Sequence, residues 1–383
     1  MHAAADPGAW EEAGLYDPED PDAADRLALL AYLTERGATI EQMVDAHRMG
    51  ALPGVASDLV TQGRTPIATV KEIAARSGIA ERDVLRVLLA AGIPAQPDTE
   101  IPAELVGLLE AFKQGSALMG DEPILAFTRV LGAAAINVAE SAIALFFAEF
   151  GPGSVREGHD ELSRARISEA ATRAFMGVPD VLALMVIDAF ERAQRRVQSA
   201  RPWAELGSED TDLSDGSTEV VALGFVDLVG STAWAESLGL REQSLALTRF
   251  ESAAWSSAVL AGGRVVKMIG DEVFFAAPTV DAACRIGLEI CDAAAADHVL
   301  PPARGAVGIG PVTPREGDYF GPLVNLLSRL VKTAAPGEVV VTEAAADALS
   351  PDEWSLRALE PAVVRGIEAP VHSFHVEHSA PGR

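Results

Sequence analysis

Near residue 217 the hydrophobic periodicity of this 383-residue chain changes, and no other feature limits its fold more. Before that point apolar residues recur at helical spacing with little interruption. After it, short apolar runs of strand length alternate with helical stretches. A chain of this length accommodates two or three domains, and the change of period marks where one gives way to the next.

In the first half, Arg26–Arg36 carries Leu27, Leu29, Leu30, Tyr32 and Leu33 on a helical pattern and stops at Gly37. Ile40–His47 is a second short helix. Val70–Ala91 reads as helix, turn at Gly78, helix. Pro102–Lys113 and Ile124–Phe150 follow, then Leu162–Gln198, interrupted near Gly177-Val178-Pro179. No strand signal breaks this region. Residues 1–22 are acidic and rich in Pro and Ala, which predicts a disordered tail. The expected organisation is therefore an all-helical domain over 23–201 and a polar linker over 202–217 bearing Glu205, Glu209, Asp210, Asp212 and Asp215. An α+β domain over 218–378 and a short tail over 379–383 complete it. In that domain Val220–Val226, Arg264–Ile269, Glu272–Ala277, Ala306–Pro311, Val339–Thr342 and Val371–Val376 read as strands. Thr232–Leu260, Val280–His298 and Val324–Thr333 read as helices.

Charge narrows the partners. Lys+Arg number 30 against Asp+Glu 56, a formal net of −26. Such a field repels nucleic acid and anionic membrane over most of the surface, although a local basic pocket can still take a phosphate. Cys284 and Cys291 lie seven apart on one face of an expected helix, too far apart to bridge, and read as small core residues of a reduced, cytoplasmic protein. Met1–Asp25 has eight acids and no apolar segment, unlike a signal peptide. The most apolar stretch, Leu131–Phe150, contains Asn137 and Glu140 and reads as a buried helix rather than a membrane span.

Three clusters carry chemistry. Phe225-Val226-Asp227-Leu228-Val229-Gly230-Ser231-Thr232 ends an apolar strand on an acid and opens a helix, an arrangement that suits a divalent cation and a phosphate, or simply a helix cap. Lys267-Met268-Ile269-Gly270-Asp271-Glu272 puts Asp271 in a hairpin turn and a lysine inside an apolar strand, where it needs a partner or a wet cleft. Asp318, in Gly317-Asp318-Tyr319-Phe320-Gly321, precedes Asn325 and Arg329, which at i, i+4 share a helix face suited to a sugar and a phosphate, or to solvent.

Together, over about residues 217–378, these clusters resemble the catalytic domain of class III nucleotide cyclases. The helical half resembles the regulatory domain of soluble actinobacterial adenylate cyclases. The resemblance implies a ferredoxin-like catalytic domain in which Asp227 and Asp271 bind two Mg²⁺ or Mn²⁺ ions. It implies that Lys267 and Asp318 read the purine, Asn325 orients the ribose and Arg329 stabilises the transition state. A lysine donates to adenine N1 and an aspartate accepts from the 6-amino group, so the pair implies ATP. Family members that use GTP carry a Glu and a Cys-type pair instead. The family fold further implies a homodimer with composite sites, while the net charge and the polar residues within Leu131–Phe150 lead us to expect no nucleic-acid partner and no membrane span. Two departures stand out. Gly230-Ser231-Thr232 replaces the family's usual Gly-Phe-Thr. Near the C-terminus Arg365 is kept for the triphosphate, while Glu368 sits where a second cation is expected, which implies a weaker phosphate grip.

A competing reading comes from Thr69–Val84, whose helices and turn glycine look like a helix-turn-helix DNA-binding module, with the second half as a cyclase-like scaffold. Thr69–Ala90 holds four basic and three acidic residues, a weak footprint for DNA. A catalytically dead scaffold is argued against by intact Asp227 and Asp271. For the signal sensed by the helical half, His47 and His159 offer titratable groups, and a lipid or small-molecule pocket between apolar helices is equally open.

Overall fold

A computed structural model describes residues 6–62, 67–150, 160–200, 218–363 and 370–379. The chain forms two compact units, Met1–Asp188 and Ala189–Arg383. The boundary falls inside the helix Val178–Ala200, and the expected linker 202–217 lies outside the described residues.

The first unit is helical, with two small cores. One gathers Leu29, Leu30 and Leu33 of the helix Ala23–Glu35, Met43 of Ile40–Arg48, and Leu52. Trp10 and Leu15 join it, which corrects the expectation of a disordered tail: Pro7–Glu12 is a helix capped by the Asp6 carboxylate on the Gly8 amide, 3.1 Å. Two large apolar side chains in that acidic stretch are enough to anchor it. The second core holds Val70, Ile73, Val84, Val87, Leu88, Leu109 and Phe112. Here Val70–Ser77 and Glu81–Ala90 are joined through Gly78 at φ +66°, the expected helix, turn, helix. Beside them runs a two-stranded ladder, β1 (Ile67–Thr69) against β2 (Glu100–Pro102), each strand too short for a periodicity signal.

The helix Asp121–Phe150 departs from its expected burial. Phe127, Leu131, Ile136, Ile143, Leu145 and Phe147 are exposed. Its apolar residues run all round the axis, and one stripe is all that a neighbouring helix covers. Val181, Leu184, Met185, Val186, Ile187 and Phe190 are likewise exposed on Val178–Ala200. By length and composition alone, Asp121–Ala148 and Glu161–Arg195 are apolar enough to cross a membrane.

The second unit is built on β3 (Glu219–Leu228), β4 (Arg264–Ile269), β5 (Glu272–Ala277), β6 (Ala303–Arg315), β7 (Asp318–Phe320), β8 (Val339–Thr342), β9 (Trp354–Ala358) and β10 (Ser373–His378). The order is β4-β5-β3-β6-β8-β10-β9, with β7 on β6, and only the β6–β8 pair is parallel. The run β4-β5-β3-β6 is the ferredoxin-like arrangement, and the α+β class stands as expected. Central β3 is covered on both faces, so its alternation is hidden. Ala222, Val226 and Leu228 pack with Phe250, Ile286 and Ile290 on one face; Leu223 and Phe225 pack with Phe274, Leu323 and Leu327 on the other. A Cβ at Gly224 would stand 2.1 Å from the Phe275 ring, so glycine is what lets that ring lie across the central strand. Cys284 and Cys291 are free and buried on the helix Val280–Ala296, and burial pushes both thiols up to about 12.

Candidate active site

Asp227 ends the central strand on the face that Leu223 and Phe225 share, and its side chain is only 6% exposed. Strand register sets its neighbours. Glu272 on β5 and Arg304 on β6 are its direct cross-strand partners, so the three form one charged row across the sheet. Arg304 donates to Asp227 Oδ2 from Nη2 at 3.0 Å and Nε at 3.2 Å. Lys332, in the short turn Val331–Thr333, donates from Nζ to Asp227 Oδ1 and to Glu272 Oε2, each at 2.8 Å. Arg304 Nη1 closes the group on the Lys332 carbonyl oxygen at 2.9 Å. Asp271 sits in the two-residue turn after Gly270 (φ +66°), and its carbonyl accepts from Leu228 N at 3.2 Å. Burial pushes the Glu272 carboxyl above its ordinary value, opposed by Lys332 and reinforced by Asp227 and Asp271. Burial pulls the Lys332 ammonium down, but its bonds to Asp227 and Glu272 outweigh that and leave it raised. Asp227 does not cap the following helix; Gly230 does, in a left-handed conformation, ahead of Ser231–Glu236.

Lys267 and Asp318 are brought together in an ion pair. A bulge at Val266 makes this possible. Two β4 residues answer one on β5, so Lys267 lies opposite Phe274, with Nζ 5.8 Å from the ring centroid. Asp318 begins β7 after the turn at Glu316 and Gly317, and its Oδ1 accepts the Tyr319 amide at 2.8 Å. Arg264 donates to the Gly317 carbonyl at 3.1 Å and lies 5.0 Å from the Tyr319 ring centroid, bracing the same turn.

Asn325 and Arg329 share the exposed stripe of the helix Pro322–Leu330, while Leu323, Leu327 and Leu330 bury the opposite stripe. Proline at the first helical position and Gly321 before it fix where that helix starts. Arg365 and Glu368 lie outside the described residues.

No family model matches the chain. Over 385 aligned residues it is 33% identical to an uncharacterized protein of Mycobacterium tuberculosis (strain H37Rv), covering 100% of this chain and 97% of that one. Over 163 residues, 42% of this chain and 40% of the relative, it is 37% identical to an adenylate cyclase of Glutamicibacter nicotianae. The chain belongs to the class III nucleotide cyclase family. The similarity extends into the helical half: a pH-sensitive adenylate cyclase of Mycobacterium tuberculosis (strain CDC 1551) is 26% identical over 369 residues, covering 93% of this cyclase and 89% of that one.

Among the described residues of the cyclase, no three His, Cys, Asp or Glu side chains are already arranged around an ion. The donor set nevertheless fits hard divalent cations. Asp227 and Asp271 stand at adjacent strand ends and would offer carboxylate oxygens, and Mg²⁺ is commonly held by one or two carboxylates with waters and substrate phosphates filling the rest.

Sequence reasoning missed Glu272, Arg304 and Lys332. Arg304 carried the same signal as Lys267, a cation in an apolar strand, but the strand was expected to start at Ala306 and actually starts at Ala303. Lys332 looked like an ordinary residue at a helix end. Only its position against two buried acids reveals it.

Proposed function

We propose that the cyclase converts ATP to 3′,5′-cyclic AMP and diphosphate. The observation that carries this is the Lys267–Asp318 pair. An ammonium and a carboxylate held side by side complement adenine, whose N1 accepts and whose neighbouring 6-amino group donates. Guanine presents the reverse order at those two atoms.

In the reaction the ribose 3′-oxygen forms a bond to the α-phosphorus, the α–β phosphoanhydride bond breaks, and diphosphate leaves while the hydroxyl proton is lost. Asp227 and Asp271 would hold two Mg²⁺ or Mn²⁺ ions, which when bound lower the pKa of the 3′-hydroxyl and neutralise the triphosphate. Asn325 orients the ribose and Arg329 meets charge growing on the phosphoryl group, both reaching out from the exposed stripe of Pro322–Leu330. Arg365 contributes to binding the triphosphate. The active form is a homodimer in which the metal aspartates of one chain face Lys267, Asp318, Asn325 and Arg329 of the other, giving two equivalent sites. The helical unit biases that assembly. ATP as substrate and two buried, free cysteines support a cytoplasmic location for the catalytic unit.

Helix, turn, helix geometry at Val70–Ala90 does not lend support to DNA binding. Three of its four cations lie beside acids, Lys71 with Asp98 at 2.8 Å, Arg86 with Glu122 at 3.1 Å and Arg82 with Asp83 at 3.6 Å, in a chain of net charge −26.

The test is product analysis of the purified chain with ATP or GTP and Mn²⁺ or Mg²⁺. Cyclic AMP from ATP is expected. Cyclic GMP as the main product would overturn the base reading, and no cyclic nucleotide under any pairing would overturn the activity.

A further inference from the structure

Asp227 and Glu272 are two buried carboxylates in one cross-strand row with a single in-row cation, Arg304. A buried carboxylate without compensating charge is strongly disfavoured. Lys332 supplies the missing charge: its ammonium bridges one oxygen of each acid, 2.8 Å from both. That is the arrangement a hard divalent ion makes between carboxylates, with a monovalent, hydrated point charge in its place.

The two cations differ in how firmly they are held. Arg304 is 19% exposed, grips Asp227 through two nitrogens and is tied again to the Lys332 carbonyl. Lys332 is 50% exposed, reaches the site on a flexible four-carbon stem, and has water to withdraw into. Asp227 Oδ1 is therefore the oxygen with an exchangeable partner, and Oδ2 the one with a fixed partner.

We propose that Lys332 is an internal, displaceable cation of the metal site. It holds Asp227 and Glu272 in the metal-free cyclase and gives up Asp227 Oδ1 to the divalent ion. The proposal rests on the reading of Asp227 as a metal ligand. Its consequence is that metal affinity is a difference between two cations competing for one buried carboxylate, so removing the ammonium tightens metal binding.

Direct Mn²⁺ binding to the full chain, followed by the free-Mn²⁺ electron paramagnetic resonance signal without nucleotide, reads this apart from activity. Lys332→Met keeps the length of the stem and removes the charge; Mn²⁺ should bind about tenfold more tightly. Lys332→Arg keeps a cation and should stay within about threefold of the unaltered chain. Unchanged or weaker binding by Lys332→Met overturns the proposal. A second measurement needs no variant at all: acylation of lysines read by mass spectrometry, with Lys71 as internal reference. Mg²⁺ should raise labelling of Lys332 and leave Lys71 unchanged, and labelling of Lys332 that does not respond to saturating Mg²⁺ overturns the proposal. Asp227→Asn separates the two levels. If it binds Mn²⁺ as the unaltered chain does, the metal-ligand reading falls and the role of Lys332 with it. If it loses Mn²⁺ while Lys332→Met fails to tighten binding, only the role of Lys332 falls.

Discussion

The two units spend their apolar residues in opposite ways. In the second, β3 is sandwiched so completely that Phe225, Phe274 and Phe275 are all buried, and the charged row at its end is fixed by register. In the first, two small cores hold the short helices while the longest helix leaves Phe127, Leu145 and Phe147 exposed. An exposed apolar surface of that kind marks a contact surface rather than a finished core. The second unit is thus a self-contained frame for chemistry. The first leaves apolar helix faces exposed, open to a further contact. Substitutions in the second unit should act on turnover, residue by residue; changes in the first should act on the level of activity or on stability.

The largest expected effect lies in the charged row. On the proposed assignment Asp227→Ala removes a metal ligand, and loss of several kcal/mol of transition-state stabilisation corresponds to about 10³-fold or more in kcat. Arg329→Ala should cost about 10²-fold or more. Mixing the two inactive chains tests the shared site. A mixed dimer has one doubly damaged site and one intact site, so with half the dimers mixed, recovery should approach about a quarter of the unaltered activity by two-fold symmetry. A mixture that stays inactive despite demonstrated subunit exchange would place the whole site within one chain.

Next is the pair proposed to read the base. Lys267→Glu combined with Asp318→Cys removes both the donor and the acceptor facing adenine, and ATP turnover should fall by at least about 10²-fold. Wild-type turnover of ATP by that variant would mean that the pair does not read the base.

These residues stood out in sequence because each combined an unusual type with a local rule, and the resemblance to class III cyclases supplied the roles expected of them. Asp227 closes an apolar run, Lys267 interrupts one, and Asn325 and Arg329 repeat at helical spacing. What escaped depends on non-local geometry. The bulge at Val266 is invisible without its partner strand, yet it turns Lys267 towards Asp318. Glu272, Arg304 and Lys332 belong to three separate segments and meet only once β5, β3 and β6 are in register. Trp10 failed for the opposite reason: acidic composition outweighed one buried ring. For Asp121–Phe150, apolar composition indicated burial, but a helix that is apolar all round can be covered by its own chain on one stripe only.

A smaller effect is expected from removing the helical unit. A chain starting at Asp215 retains every strand of the second unit, so it should stay folded and differ in specific activity by about fivefold or more if the helical unit couples to the site. Equal activity across pH and candidate effectors would leave the first unit without a regulatory role and sharpen the contrast to one of structure alone.

The smallest effect concerns what holds the helical unit together. Glu169, on the helix Glu161–Phe175, is buried and accepts bonds from the Tyr32 hydroxyl and Arg36 of the helix Ala23–Glu35 and its C-cap, and from Arg173 at 2.8 and 3.0 Å. Burial pushes its carboxyl up, but the bonds from Tyr32, Arg173 and Arg36 outweigh burial and hold it below the ordinary 4.5. A depressed carboxylate contributes stability that is complete above that ordinary value and is lost as pH falls through the lowered one. Glu169→Gln should therefore cost about 2 kcal/mol at pH 7. That corresponds to about 4–8 °C in the melting of a unit this size. The gap between the variant and the unaltered chain should begin to narrow as pH falls below the ordinary 4.5 and close as it falls through the lowered value. Calorimetry resolves the comparison directly: the transition of the first unit should move, while that of the second, whose charged row is untouched, should not. Equal melting at pH 7 would show that the apolar contacts of Leu29, Leu30 and Ala165 hold the two helices without Glu169.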